Sequence, residues 1–270
     1  MIYVRDKGRM CNNLLQFGHV YAFAREHGRK AVSMRFAYKY PWFEISHSRH
    51  HNSFRYLLAK TMAKAGVFPV VSYNTPGEIS PEKERKILSA RNVVVEGWEV
   101  RFYDLFLKYR TEITAMFGFL PEVRHAVTPL LESAGKSLKV GLHVRRGDYA
   151  TWQQGKYLYS DRQFAEVVKR ISRLYPDRKI TCFVCGNDPT LDPDIYRRQL
   201  PDIEFIFPNG NPAEDLCLLS ECDLLAGPPS TFSLTAAMYR DIPLYWIMDP
   251  EKEITEDSFG RFAELFKKII

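Results

Sequence analysis

Absences narrow the reading of these 270 residues before any motif does. No run of apolar residues approaches the length needed to span a bilayer. The opening Met1-Ile-Tyr-Val-Arg5 reads at once as strand and has no signal-peptide pattern. Cysteine is scarce and odd in number: Cys11, Cys182, Cys185, Cys217 and Cys222 make no disulfide framework. Cys182-Phe-Val-Cys185 has redox-pair spacing, yet it lies inside an apolar strand pattern, where small core residues are expected. A reducing, cytoplasmic location is therefore expected, with peripheral attachment at the inner face of a membrane left open. Metal patterns are missing as well. His47, His50 and His51 have no Cys or carboxylate at ligand spacing, so they read as a solvated loop. Excess charge is modest, 38 basic against 32 acidic side chains for a net +6, and the arginines are spread rather than packed in runs. That argues against nucleic acid and suits an anionic substrate or a membrane surface. Nothing in the sequence sets an oligomeric state.

Two apparent motifs fail on inspection. Ala134-Gly-Lys-Ser137 lacks the earlier glycine of a phosphate loop and precedes a strand instead of following one. Arg146-Gly147-Asp148 matches a cell-adhesion tripeptide in a chain with no secretory pattern.

What is present is a βα alternation, written twice. In the first half, strand Ile2 to Val4 leads through a loop to a helix, Asn13 to His27, with Asn12 placed as its N-cap. Residues 35–66 mix aromatics with basic groups, a composition that suits a sugar-binding groove. Strands are expected at Phe68–Tyr73 and Val93–Trp98, and helices at Phe102–Phe117 and Glu122–Ala134. From Leu138 the alternation restarts more cleanly and runs to a last amphipathic helix, Asp257 to Ile270. Strands and helices at this spacing predict parallel, doubly wound sheets. The expected architecture is α/β: two Rossmann-like domains facing a cleft, residues 1–137 and 138–270, with the last helix free to pack back on the first domain.

The stretch Leu138 to Tyr149 carries the chemistry. Leu138, Val140, Leu142 and Val144 alternate as a strand, and the chain then switches to His143, Arg145, Arg146, Gly147 and Asp148. Ligands of open α/β sheets bind just beyond the carboxyl ends of strands. A single Asp148 cannot neutralise two guanidiniums, so one is expected to be available to an anion, and Arg grips phosphate oxygens in a fork. Two further strand ends are expected at the same crevice, Gly186–Asp188 and Gly227–Ser233. Ser230 or Thr231 there caps a helix whose first-turn N–H groups suit an anion. Arginine pair, capped helix and loop carboxylate together read as a nucleotide-diphosphate site.

These residues also carry a resemblance. His143-Val-Arg-Arg-Gly-Asp-Tyr149 matches an H-x-R-R-x-D signature, and Asp215-Leu-Cys-Leu-Leu-Ser and Pro229-Ser-Thr-Phe-Ser are similar to the downstream motifs that accompany it. Gly8-Arg-Met-Cys-Asn-Asn-Leu-Leu-Gln-Phe17 and Glu96-Gly-Trp-Glu99 stand where N-terminal motifs of the same group occur. The chain thus resembles glycosyltransferase family 11, the α-1,2-fucosyltransferases, within the GDP-fucose-dependent transferases. The resemblance implies a GT-B fold and inverting transfer of L-fucose from GDP-β-L-fucose to a glycan hydroxyl, with no cofactor or metal. It places Arg145 at the β-phosphate, assisted by Arg146 and by Ser230, Thr231 and Phe232. His143, Asn187 and Asp188 fall on the guanine or ribose side, and Asn12 on the sugar or diphosphate. Asp148 and Glu96 are the carboxylates available as base, Asp148 equally as a partner for Arg146, while Trp42 and Trp98 fall on the acceptor side. Cys11, Asn13, Leu234-Thr235 and Gly186-Asn187-Asp188 depart from the pattern. Two alternatives therefore stand beside the first reading: another GDP-sugar as donor, or a nucleotide-sugar-binding protein that has lost transfer.

Overall fold

The computed structural model describes residues 1–51, 53–77, 79–186 and 188–268. The chain divides into two compact units, Met1–Leu120 and Pro121–Ile270. In the first unit the order is β1 (Ile2–Arg5), α1 (Met10–Glu26), β2 (Ala31–Ser33), α2 (Phe36–Lys39), α3 (Ser53–Lys64), β3 (Val70–Ser72), α4 (Pro81–Ser89), β4 (Val93–Glu96), α5 (Tyr103–Lys108) and α6 (Arg110–Met116). The second unit begins with α7 (Pro121–Ser133) and continues β5 (Leu138–His143), α8 (Asp161–Arg173), β6 (Ile180–Cys185), α9 (Pro193–Gln199) and β7 (Glu204–Ile206). It closes with α10 (Pro212–Ser220), β8 (Leu224–Gly227), α11 (Thr231–Arg240), β9 (Leu244–Trp246) and α12 (Phe262–Phe266).

Each unit holds one parallel sheet, in the orders β2-β1-β4-β3 and β7-β6-β5-β8-β9. Both faces of such a sheet are covered, which is why its strands read as continuous apolar runs rather than alternating ones. β5 and β6 are buried almost end to end, and Phe164, Val168 and Ile171 of α8 pack into the same core as Val140 and Leu142. A capping box starts α8: Gln163 N–H donates to Ser160 Oγ, and Ser160 N–H donates back to Gln163 Oε1 at 3.0 Å. All five cysteines are buried free thiols, and burial raises the pKa of Cys182 and Cys185 well above the ordinary thiol value.

Several boundaries differ from the sequence reading. α1 begins at Met10 with Arg9 as N-cap, so Asn12 lies inside its first turn instead of capping it. The helix expected over Phe102–Phe117 is two helices that break at Tyr109, whose backbone turns to φ −105°, ψ 16°. β2, α3 and α4 are additions to the sequence reading: β2 has only three residues, and α3 and α4 each bury a single apolar side chain among the described residues, Ala59 and Ile87. The units separate at Leu120–Pro121, not at residue 137, because α7 packs on α10 of the second sheet. The last helix shrinks to α12, which packs on α11 within its own unit. Ile269 and Ile270 lie outside the described residues.

Candidate active site

A chain that runs β5, β6, β7 to one side and then returns to β8 on the other leaves a crevice between the carboxyl ends of β5 and β8. This topological switch point is where doubly wound sheets bind ligands. The segment after β5 begins with Val144, Arg145 and Arg146, and the segment after β8 is Pro228 to Ser230. Their approach depends on Gly227: a Cβ there would sit 2.9 Å from the His143 carbonyl oxygen.

Arg145 is the centre of the arrangement. Its Nη2 donates to Asp148 Oδ2 at 2.8 Å, Nε donates to Oδ1 at 3.4 Å, and Nη1 donates to Ser230 Oγ at 3.0 Å. The guanidinium also lies over the Tyr149 ring, 4.6 Å from its centroid, while the Tyr149 hydroxyl donates to the Pro229 carbonyl. Carboxylate, hydroxyl and ring therefore fix the fork from three sides. Its remaining N–H groups have no acceptor among the described residues, and the side chain keeps 21% exposure. Ser230 is the N-cap of α11 and accepts from Phe232 N–H at 3.1 Å, so one hydroxyl ties the arginine to the helix N-terminus.

Arg146 does something else. Its Nη2 donates to Asp161 Oδ1 at 2.5 Å, Nε donates to the Tyr159 carbonyl at 3.0 Å, and Nη1 stands 3.8 Å from Asp188 Oδ2. The expectation that Asp148 could serve as a partner for Arg146 is corrected here. Asp148 holds Arg145, and the fold brings Asp161, from the first turn of α8, and Asp188, from beyond β6, to Arg146. A buried, paired guanidinium of this kind organises the loop and has little left for a ligand. Asp188 is engaged as well, accepting from Thr190 N–H at 2.8 Å and Thr190 Oγ1 at 2.7 Å. Burial alone would raise its pKa; the two Thr190 bonds and the Arg146 charge lower it. Asn187 lies outside the described residues.

His143 closes the strand. It is buried and stacks on Phe232, with ring centroids 4.8 Å apart. Burial, and then the Arg145 charge, push its pKa down to about 3, so the ring is neutral. Its Nδ1 is buried with no hydrogen-bond partner among the described residues. The ring packs the start of α11 against the end of β5. Thr231 follows the cap as the first residue of α11 and is partly exposed.

One residue was quoted in the sequence only as the start of a motif. Asp215 stands in the first turn of α10, and that turn lies at the carboxyl side of the sheet because the helix runs back against the strands. The cap of α10 is completed by Asn211 and Glu214, so Asp215 is an acid the cap does not need. Burial, then the neighbouring Glu214 charge, push its carboxyl up to about 7, and Oδ1 is buried with no partner among the described residues. Its charge reaches Cys185 at the end of β6. A redundant acid after a capping box was the signal available in the sequence.

The first unit has its own switch point, between β1 and β4. Gly97, at φ +113°, ends β4 where a Cβ would lie 1.9 Å from the Tyr73 carbonyl oxygen, so only glycine fits. Glu96 accepts from Arg5 Nε at 2.5 Å and from Ser72 Oγ at 2.9 Å. Burial would raise its pKa, but the Arg5 and Ser72 bonds prevail and lower it. An ionised, doubly bonded carboxylate is a poor proton acceptor. Trp98 is half-buried beneath the Arg101 guanidinium, 4.1 Å from the ring centroid. Trp42 is half-buried in the loop after α2, where its carbonyl accepts from Leu120 N–H at 3.0 Å. Asn12 accepts through its carbonyl from Gln16 Nε2 at 3.0 Å, and the same Nε2 donates to the Lys7 carbonyl at 2.6 Å, which clamps the loop after β1. Asp6 in that loop is buried, and burial pushes its carboxyl up to about 6 against the pull of the Lys39 and Arg35 charges.

No family model matches the sequence, and no curated protein matches it either. The structure is similar to solved ones. A FUT1 mutant from Arabidopsis thaliana in complex with GDP superposes at a TM-score of 0.65 with 14% identity, over 96% of this chain and 72% of that one. The fucosyltransferase NodZ from Bradyrhizobium gives 0.55 with 16% identity, over 91% of this chain and 95% of that one. POFUT1 in complex with GDP-fucose gives 0.59 with 13% identity, over 89% of this chain and 94% of that one. The fold is GT-B. At such identities the likeness concerns the fold, and the chemistry has to come from the side chains described above.

Proposed function

We propose that this chain is an inverting glycosyltransferase that moves L-fucose from GDP-β-L-fucose to a glycan hydroxyl. The observation that carries the reading is Arg145, fixed by Asp148, Tyr149 and Ser230 at the switch point of the second unit, with N–H groups to spare. Breaking the bond from sugar C1 to phosphate leaves positive charge on the ring and builds negative charge on the departing GDP. A guanidinium already held in place stabilises that charge without reorganising, the task a metal ion performs in other transferases. The N–H groups in the first turn of α11 add their partial charge on the same side. Asp215 fits the guanine, whose N1–H and N2–H₂ edge calls for a carboxylate acceptor; its place at the carboxyl side of the sheet supports this. Arg146 and Asp188 position the loop. The acceptor hydroxyl attacks C1 from the opposite side, GDP leaves, and the hydroxyl proton passes to a base. Trp42 and Trp98 suit the apolar face of an acceptor sugar. The α-1,2 linkage rests on the motif resemblance alone.

A second reading, donor binding without transfer, is favoured by one observation: Asp148 and Glu96, the two carboxylates considered as base, are both in ion pairs. Thermal melting with nucleotides, followed by GDP release from GDP-fucose over a panel of glycans, tests both. GDP should raise Tm while UDP and ADP do little, and turnover should persist in EDTA. Equal stabilisation by UDP would reject the guanine assignment. Stabilisation by GDP without turnover on any glycan would select the second reading.

A further inference from the structure

The first unit carries a basic cavity that the donor chemistry does not use. It encloses about 540 Å³ beside β2, where the end of α1 meets the segment that leads into α3. Five of its lining side chains are cationic, Arg25, Arg29, Lys30, Arg49 and Arg55, and its one lining carboxylate among the described residues is Glu112. A chain with 38 basic and 32 acidic side chains does not produce such a ratio by even spreading.

Two of the cations are built into the wall. Arg25 Nε donates to Glu112 Oε2 at 3.1 Å, and the Tyr21 hydroxyl donates to the same oxygen at 2.6 Å. Those bonds, Tyr21 first, lower the pKa of Glu112 and keep it ionised. Arg29 donates through Nη1 to the Leu88 carbonyl at 2.7 Å and through Nη2 to the Ala90 carbonyl at 2.6 Å. The carbonyls that end α1 do not oppose an anion either, because Arg29 N–H takes Ala24 O at 2.7 Å and Gly28 N–H takes Arg25 O. Lys30 and Arg49 are different. Both are exposed, and neither side chain makes a hydrogen bond or ion pair among the described residues. The Tyr21 and His50 rings, edge to face at 5.5 Å, add an aromatic wall for the carbon part of a ligand. Several like charges around one cavity repel unless an anion of matching charge sits among them.

We propose that this cavity is a second anion site, for a multiply charged phosphate ester, separate from the diphosphate site of the second unit. Guanidinium forks and an ammonium recognise the phosphate oxygens, and the aromatic wall takes whatever carries them. The ester can come from a soluble metabolite or from a phospholipid headgroup. Pyrophosphate titrated by calorimetry into the full chain carrying Arg145→Ala, which disables the diphosphate grip, should still show one binding event. Adding Lys30→Ala and Arg49→Ala should weaken that event by about tenfold or more, the loss of hydrogen bonds to charged groups. Tm should hold, since both side chains are exposed; if the double variant melts early, Arg49→Gln alone gives the same reading. Flotation with phosphatidylcholine vesicles containing phosphatidic acid separates the sources. Co-flotation that pyrophosphate competes away assigns the site to a lipid headgroup, and calorimetric binding without flotation assigns it to a soluble ester. Absence of binding in the Arg145→Ala protein, or binding that the added substitutions leave intact, overturns the proposal.

Discussion

Two neighbouring arginines with opposite fates show what a single residue contributes. Arg145 and Arg146 are chemically identical, yet one faces the crevice with N–H groups in reserve and the other is buried against Asp161 and Asp188. Arg145→Ala should leave the fold intact and slow transfer by ~10²–10³, the usual loss for one preorganised donor at developing charge. Arg145→Lys should fail as well, because a point charge cannot bridge Asp148 and Ser230. Arg146→Ala should instead take the charge partner from Asp161, leaving its carboxylate to the Tyr196 hydroxyl and the Asp192 N–H, and cost on the order of 3 kcal/mol of stability. Steady-state kinetics beside urea melts separates the two; similar kinetic losses at full stability for both would mean that Arg146 also meets the substrate. Asp215 gives a pH signature. Its carboxyl sits at about 7 in the folded chain against 3.8 ordinarily, so the folded state holds a proton that the unfolded state releases. Stability from this group is complete below pH 3.8 and is lost as pH rises towards 7. Asp215→Asn should therefore gain on wild type as pH climbs through that window, while its GDP affinity at pH 8 falls by about tenfold. A variant that binds GDP normally would remove Asp215 from the guanine site.

Elements reach beyond the motifs they carry. α7 precedes the second sheet in sequence and packs on α10, the helix that bears Asp215. A fragment spanning 121–270 should fold cooperatively and bind GDP, whereas one starting at 138 exposes the α7 face of α10 and should aggregate or melt at lower temperature. Circular dichroism melts of the two fragments check this. Equal behaviour would show that α7 adds nothing to the second unit. α11 is equally tied to its neighbours, since Ser230 caps it, Arg145 binds the cap and His143 stacks on its Phe232. Substituting the cap therefore disturbs helix, arginine and strand end together.

For the whole molecule, each unit has a parallel sheet and a switch point of its own. The second switch point holds the fixed arginine and the capped helix, and the first holds Glu96 in an ion pair beside Trp98. On the proposed function, Trp98→Ala should weaken acceptor use and barely change GDP affinity, because an indole face supports a sugar ring and not a phosphate. Ser230→Ala should do the reverse. Calorimetry on variants that keep the native circular dichroism distinguishes them. A Trp98→Ala protein that loses GDP as severely as Arg145→Ala would undo this division of labour.

The sequence by itself determined the parallel α/β class, the restart of the alternation at Leu138, and most elements of the second unit, where Ile180–Cys185 and Pro193–Gln199 match residue for residue. Those signals are local: apolar runs covered on both faces, capping residues and turn glycines act within a few positions of themselves. The site stretch was visible for the same reason, since a strand ending in His143, Arg145 and Arg146 is a local change of character. β2 and α3 were not, because three buried residues in β2 are too few to show a period and Ala59 is the one residue α3 buries among the described residues. Only the tertiary structure decided which arginine faces the crevice. That choice depends on Asp161 and Asp188 arriving from two other loops, and on Ser230 arriving from beyond β8, 85 positions away in sequence. It likewise decided the isolation of the Asp215 carboxyl and the gathering of cations beside β2. A side chain's charge is written in the sequence; its partners are set by which strand ends the sheet order brings together.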